Sequence, residues 1–307
     1  MAAPLPPVDA ERIIKKAHRS DGAFAIVGLL IMIASMSVLF ALIGDLLVDG
    51  LARIDLAFLT SYPSRRPAEA GILSAWVGTS LVMFVTAFLA VPLGVGAGVY
   101  LEEYAPKNWV TALIEINVTN LAGVPSIIYG LLALGLFVHQ FRMGETVLVA
   151  GMVLALLILP IVIVSTREAL RSIPLEMREA AYGLGADKWQ TVRMYLLPAA
   201  RPGILTGAIV GMSRAIGETA PVITIGALTF IAFLPPSPIR PEFPFISFDW
   251  LNSPFTVMPI QMFNWISRPQ AGFHTNAAAT GVILLAMTLL MNGFAIWLRY
   301  KLRKRMK

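Results

Sequence analysis

Of 307 residues, 57% are hydrophobic and 14% charged, with a mean hydropathy of +0.74; a soluble domain, at about 45–50% apolar, is excluded and an integral membrane protein is implied. With no cysteine in the chain, neither a disulfide framework nor a thiolate metal site arises. Lys and Arg number 24 against 18 Asp and Glu, an excess that in a membrane chain belongs on the cytoplasmic side of the spans rather than on nucleic acid.

Residues 1–20, with Pro4, Pro6 and Pro7, read as a short mobile tail. Arg12, Lys15, Lys16 and Arg19 then precede an apolar run from Gly22 to Gly44. That run is too long for the core of a signal peptide and lacks a small-residue cleavage site, so it is expected to be an uncleaved first span. The second span covers about 71–100 and ends in Pro92, Gly94, Gly96 and Gly98, residues that suit helix packing before any ligand. A third span is expected at about 109–138, containing Asn117, Asn120 and Gly123-Val124-Pro125-Ser126. Asn117-Val118-Thr119 fits a glycosylation sequon but lies at membrane depth and is set aside.

The fourth span is expected at about 146–166, a polar segment at 167–203, the fifth span at about 204–233 and the sixth at about 276–298. Between the last two, residues 234–275 are rich in proline and in aromatics such as Phe243, Phe245, Trp250 and Trp265, a composition suited to the membrane–water interface. With six crossings and an inside N-terminus, 17 basic residues fall on one side and 6 on the other. The asymmetry assigns both termini and the 167–203 segment to the cytoplasm. The remaining basic residue is Arg214, within the fifth span.

In the polar segment Met177, Ala180, Ala181 and Leu184 recur at helical spacing behind Pro174, and Gly183 or Gly185 closes the helix. A second helix is expected from Asp187 to Leu197, stopping before Pro198. Two short amphipathic helices with a glycine corner make either a docking element or a pair resting on lipid headgroups, and periodicity does not rank one above the other.

Arg214 lies about ten residues into its span, about 15 Å deep and near the middle of a hydrocarbon core about 30 Å thick. A charge there has to face protein or water. Glu218, one helical turn further, can pair with it. The pair is read either as a structural clamp to a neighbouring helix or as an anion site, with Gly217 and Pro221 bending the helix beside it. Guanidinium's planar fork suits an oxyanion; in that reading Glu218 orients Arg214 and limits how tightly the anion is held. Gly203, Gly207 and Gly211 form a close-packing surface for another helix, of an internal span or of a second subunit.

Glu179-Ala180-Ala181, then Gly185 after three residues, then Leu197-Pro198 resembles the EAA motif of ABC-importer permeases, with Tyr195 where that pattern prefers isoleucine. Three further runs, Leu121 to Gly130, Pro202 to Gly207 and Arg214 to Pro221, resemble the PstA-like permeases of phosphate-specific importers over nearly all of the chain after residue 70. The resemblance implies an all-α polytopic fold of six transmembrane helices in the type I, MetI-like arrangement, spanning 21–307 behind the tail. It also implies a coupling role for Glu179, Ala180, Ala181 and Gly185, and a substrate-path role for Arg214 and Glu218. The implied partners are a second homologous permease, an ATP-binding subunit dimer, an extracytoplasmic phosphate-binding protein, phosphate and membrane lipid, in the cytoplasmic (inner) membrane.

No cofactor, metal or nucleic acid is expected. The nearest approach to a P-loop, Gly71 to Ser80, lacks the lysine that reaches the phosphates, so energy is expected from another polypeptide. A permease for phosphonate or molybdate is the alternative within transport. An intramembrane enzyme lacks any cluster to stand on, since His-Glu-x-x-His and Gly-x-Ser-x-Gly are absent and His18, His139 and His274 fall in the tail and outer loops.

Overall fold

A computed structural model describes residues 7–239 and 245–304. The helices are, in order, α1 (Pro7–Gly50), α2 (Leu56–Thr60), α3 (Leu73–Val99), α4 (Trp109–Leu121), α5 (Ser126–Ala133), α6 (Val147–Arg171), α7 (Leu175–Gly183), α8 (Lys188–Thr191), α9 (Leu197–Ile216), α10 (Ala220–Thr224), α11 (Met258–Ile266) and α12 (Ala271–Lys304). Among the described residues the only β pairing is an isolated bridge between Ile239 and Ile246, so the expected all-α class holds. Pro4, Pro6, Arg240, Phe243, Arg305 and Lys307 lie outside the described residues. From Pro7 onward the expected tail is helix, continuous with the first span.

Among the described residues four stretches have the length and apolarity of a membrane crossing: Asp21–Arg53, Leu73–Tyr104, Val147–Arg171 and Ala271–Lys301. The expected third span is instead a pair, Trp109–Leu121 and Ser126–Gln140, bent by 105°. Pro125 is the cause: it disfavours helical geometry at Val124 and itself caps α5 with φ −54° and ψ 132°. Chain direction turns over Gly123 and Val124, whose amides close short turns on Asn120 and Leu121.

The expected fifth span is likewise divided. α9 ends at Ile216, Gly217 and Glu218 lie outside any helix, and Pro221 opens α10 at a position where its missing N–H is no loss. Pro221 therefore starts a helix rather than bending one, and residues 227–233 are not helical. At the other end the expected stop before Pro198 does not occur. A π-helical turn, Val192–Leu196, carries α8 directly into α9; the wider turn shifts the hydrogen-bond register where Pro198 offers no donor.

α3, α6 and α9 form the centre of the bundle. Gly94 and Gly98 of α3 let it lie against Val162 and Thr166 of α6, where a Cβ would come within 2.7 Å of either side chain. Gly203 and Gly207 do the same for α9 against Ala169 and Ser165 of α6, and Gly211 against Ile158. The glycine surface of α9 thus faces an internal helix. The main core joins Val82, Val153, Leu157, Ile158, Ile216 and Trp250, and a second cluster at the α7–α8 end joins Leu170, Ile173, Val192, Leu196 and Ile204. Trp250 and Trp265 are buried, the latter between Phe58 and Phe273, so these tryptophans are core and not an interfacial belt. Phe245 and Phe248 are exposed.

Candidate functional site

Arg214 occupies the last turn of α9, where the helix dipole favours a cation. Glu218 stands just past the helix end, and its Oε1 lies 3.3 Å from Arg214 Nε. The pairing expected from the four-residue spacing is present, although the helix does not continue through it. The Arg214 side chain is 36% exposed and that of Glu218 19%. Among the described residues Arg214 makes no other side-chain hydrogen bond, so both Nη groups are left without a protein acceptor.

Three neighbours fix this corner. Ser213 Oγ lies 2.7 Å from Asn292 Oδ1, tying α9 to α12 one residue before Arg214. α5 crosses α10 at Gly130, where a Cβ would overlap Thr224 Oγ1 and fall 2.6 Å from Pro221 Cα; only a glycine allows that approach. Tyr129, beside Gly130 on α5, donates from its hydroxyl to the Leu121 carbonyl at 2.8 Å. Beside Glu218, the space lined by Thr79, Met83, Leu154 and Val257 is about 10 Å³, no more than one water fills. That space is too small for an oxyanion.

The EAA segment forms the second half of the site. α7 ends in a Schellman cap: Gly185 adopts φ +82°, Ala186 N–H donates to Ala181 O at 3.0 Å and Gly185 N–H to Tyr182 O at 2.9 Å. Of the two glycines expected to close the helix, Gly185 is the left-handed one. Ala181 is buried, whereas Glu179 and Ala180 are exposed together with Leu175, Met177, Tyr182 and Leu184. Of the face predicted to be apolar, Met177, Ala180 and Leu184 therefore point away from the rest of the chain, and Ala181 packs against it. α8 starts with a capping box between Asp187 and Gln190, so both helices of the corner have firm ends.

Arg178 holds α7 to the bundle from its other face. It donates to the carbonyls of Leu170 and Ile173 at 3.0 Å and pairs with Glu103 at 2.9 Å. Glu102 takes Arg171 at 2.8 Å and Arg167 at 3.5 Å, and Arg167 also pairs with Glu115. Sequence reasoning passed over this network. Arg167 is only 7% exposed, and Glu115 lies six residues into an expected span, where the rule that singled out Arg214 applies equally.

The structure does not bring the two halves of the site together. Arg214 and Glu218 stand at the far end of α9 from the α7–α8 corner, roughly 20 residues or 30 Å of helix away.

Residues 90–307 match the family of binding-protein-dependent transport system inner membrane components. The chain is 34% identical over 193 residues to a probable ABC transporter permease protein, YqgI, of Bacillus subtilis, covering 63% of this chain and 66% of that one. It is 31% identical over 252 residues to the phosphate transport system permease protein PstA of Pasteurella multocida, covering 81% of this chain and 84% of the relative. Its fold is similar to that of a chain of the MetNI methionine ABC transporter, with a TM-score of 0.58 at 18% identity over 75% of this chain and 95% of that one.

Proposed function

Because the chain belongs to the family of binding-protein-dependent transport system inner membrane components, we propose that it is one permease subunit of an ATP-driven importer of inorganic phosphate. A transport subunit of this family works with a substrate-binding protein and a separate ATP-binding subunit. In this reading two ATP-binding subunits hydrolyse ATP, a second homologous permease completes the path, and both termini of the chain lie in the cytoplasm. The chain spans 66% of YqgI and 84% of the Pasteurella PstA, and it is the latter's likeness that supports phosphate as the solute.

The observation that carries the site reading is the half-exposed Arg214, whose two Nη groups lack a protein acceptor at the break between α9 and α10. A planar guanidinium offers two parallel donors to a tetrahedral oxyanion. Glu218, bound at Nε, orients the fork and keeps net charge near zero, so that the anion is attracted without being trapped. At the cytoplasmic side the segment of Glu179, Ala180, Ala181 and Gly185 forms the seat for the ATP-binding subunit: Ala181 packs inward and anchors α7, the Schellman cap at Gly185 sets the corner, and the exposed Leu175, Met177 and Leu184 supply the contact.

Uptake of labelled phosphate into vesicles carrying the complete complex tests the reading. Phosphate uptake driven by ATP should resist a large excess of sulfate, molybdate or phosphonate. Preferential transport of one of those competitors would assign the chain to that oxyanion instead.

A further inference from the structure

Helix α4 is only loosely attached to the bundle. It has no buried residue, and three adjoining cavities of about 650, 380 and 320 Å³ run along it, between it and α6, α9 and the turn after α3. Its described side-chain hydrogen bonds stay local: Asn117 to Leu113 O, Thr119 to Glu115 O, and Thr111 to Pro106 O. The one ionic tie from α4 to the bundle, among the described residues, is Glu115 to Arg167 of α6. Beyond its C-terminal end stands the 105° break at Ala122–Pro125.

The tie is built to release. Arg167 is almost wholly buried, and a buried charge without a partner is strongly unfavourable. Here, however, a second carboxylate, Glu102, stands 3.5 Å from Arg167 Nε, so the guanidinium keeps a partner when Glu115 leaves. Glu115 is itself 32% exposed and lines the polar 380 Å³ cavity, where water can take over its solvation. Neither Nε nor Nη2 of Arg167 meets an acceptor at hydrogen-bond angles. The attraction is ionic, without the directed bonds that would fix it.

Glu102 and its neighbour Glu103 also receive Arg171 of α6 and Arg178 of α7. A displacement of α7 therefore acts on the carboxylate that competes with Glu115 for Arg167. At the far end of the break, α5 crosses α10 at Gly130, against Pro221 and Thr224, beside the Arg214–Glu218 pair.

We propose that Glu115 and Arg167 are a positioning pair, an ionic latch that holds α4 against α6. Its release, driven from α7 through Arg178, Glu103 and Glu102, lets α4 pivot about Ala122–Pro125 and shift α5 against the Arg214 corner. The inference rests on the permease reading only in taking nucleotide binding as the drive on α7; it does not depend on which solute is carried.

The chain has no cysteine, so a Cys pair replacing Ile116 of α4 and Val210 of α9, both exposed and lining adjoining cavities, carries spin labels at two defined points. In the complete complex without nucleotide, the native latch should give one short distance and Glu115→Gln should add a longer one. ATP held on a hydrolysis-blocked partner subunit should produce the longer distance with the native latch. An unchanged distance on ATP binding overturns the pivot. A nucleotide-free Glu115→Gln complex with the native distance overturns the latch. If Glu115→Gln does not assemble, Glu115→Asp, which keeps the charge but shortens its reach, is measured in its place and read by the same criterion. Phosphate uptake by the same labelled complex is scored separately: its absence bears on the transported anion, and the distances still decide the latch.

Discussion

An arginine in the last turn of α9, with one carboxylate at Nε and two Nη groups without protein acceptors, has to be completed by water or by an anion. That chemistry distinguishes Arg214 from Arg167, which is almost wholly buried between two carboxylates, Glu102 and Glu115. Arg214→Lys keeps the charge but replaces the fork by a point donor. A hydrogen bond to a charged group contributes about 1.5–3 kcal/mol, so phosphate uptake should fall roughly tenfold to a hundredfold while the complex assembles normally. Uptake at the native rate would mean that bidentate geometry is not used. At this scale the sequence is unevenly legible. Arg214 and Glu218 stand out because an apolar run makes any charge visible, and their spacing gives the pairing. Glu115 stands in a comparable run and is as visible. Its partner on α6 is 52 positions away, and no local spacing points to it.

At the scale of the element, the α7–α8 corner is legible in the sequence and the broken helices are not. Helical spacing behind Pro174 and a glycine at the end are local signals, and the structure adds only that Gly185 is the residue with positive φ. Its backbone conformation makes the next prediction. A side chain at φ +82° costs about 1–3 kcal/mol, and a β-branched one is worst placed to bear it. Gly185→Val should loosen the corner, so that the ATP-binding subunit copurifies in reduced yield while membrane insertion is unchanged; full copurification and transport would contradict the docking role. The space around Gly185 is open, so the effect comes from backbone strain and not from a clash.

The breaks at Ala122–Pro125 and Gly217–Thr219 escape sequence reading because average apolarity over a window is blind to chain direction. Pro125 and Pro221 read as residues within spans, whereas both sit at helix beginnings. Pro198 errs the other way: it reads as a stop, and a π-helical turn carries the chain past it. A proline announces that a hydrogen bond is missing. Whether the helix ends, bends or widens is decided by what packs around it, here α6 and the core cluster around Val192 and Leu196.

For the whole molecule, hydropathy suffices for the class and the basic residues for a topology. Reporter fusions after Arg171 and after Ser253 should fall on opposite sides of the membrane, the first in the cytoplasm, since 17 basic residues against 6 bias the chain that way. An external Arg171 fusion would take the EAA corner out of reach of any cytoplasmic ATPase. The central claim, that Arg214 meets the transported anion, is tested most directly by the double variant Arg214→Leu with Glu218→Leu. Removing both members of an ion pair is often neutral or stabilising when the pair is only structural. The account predicts a double variant that folds, assembles and hydrolyses ATP in the complete complex yet carries no phosphate into vesicles, and phosphate uptake at the native rate would contradict it.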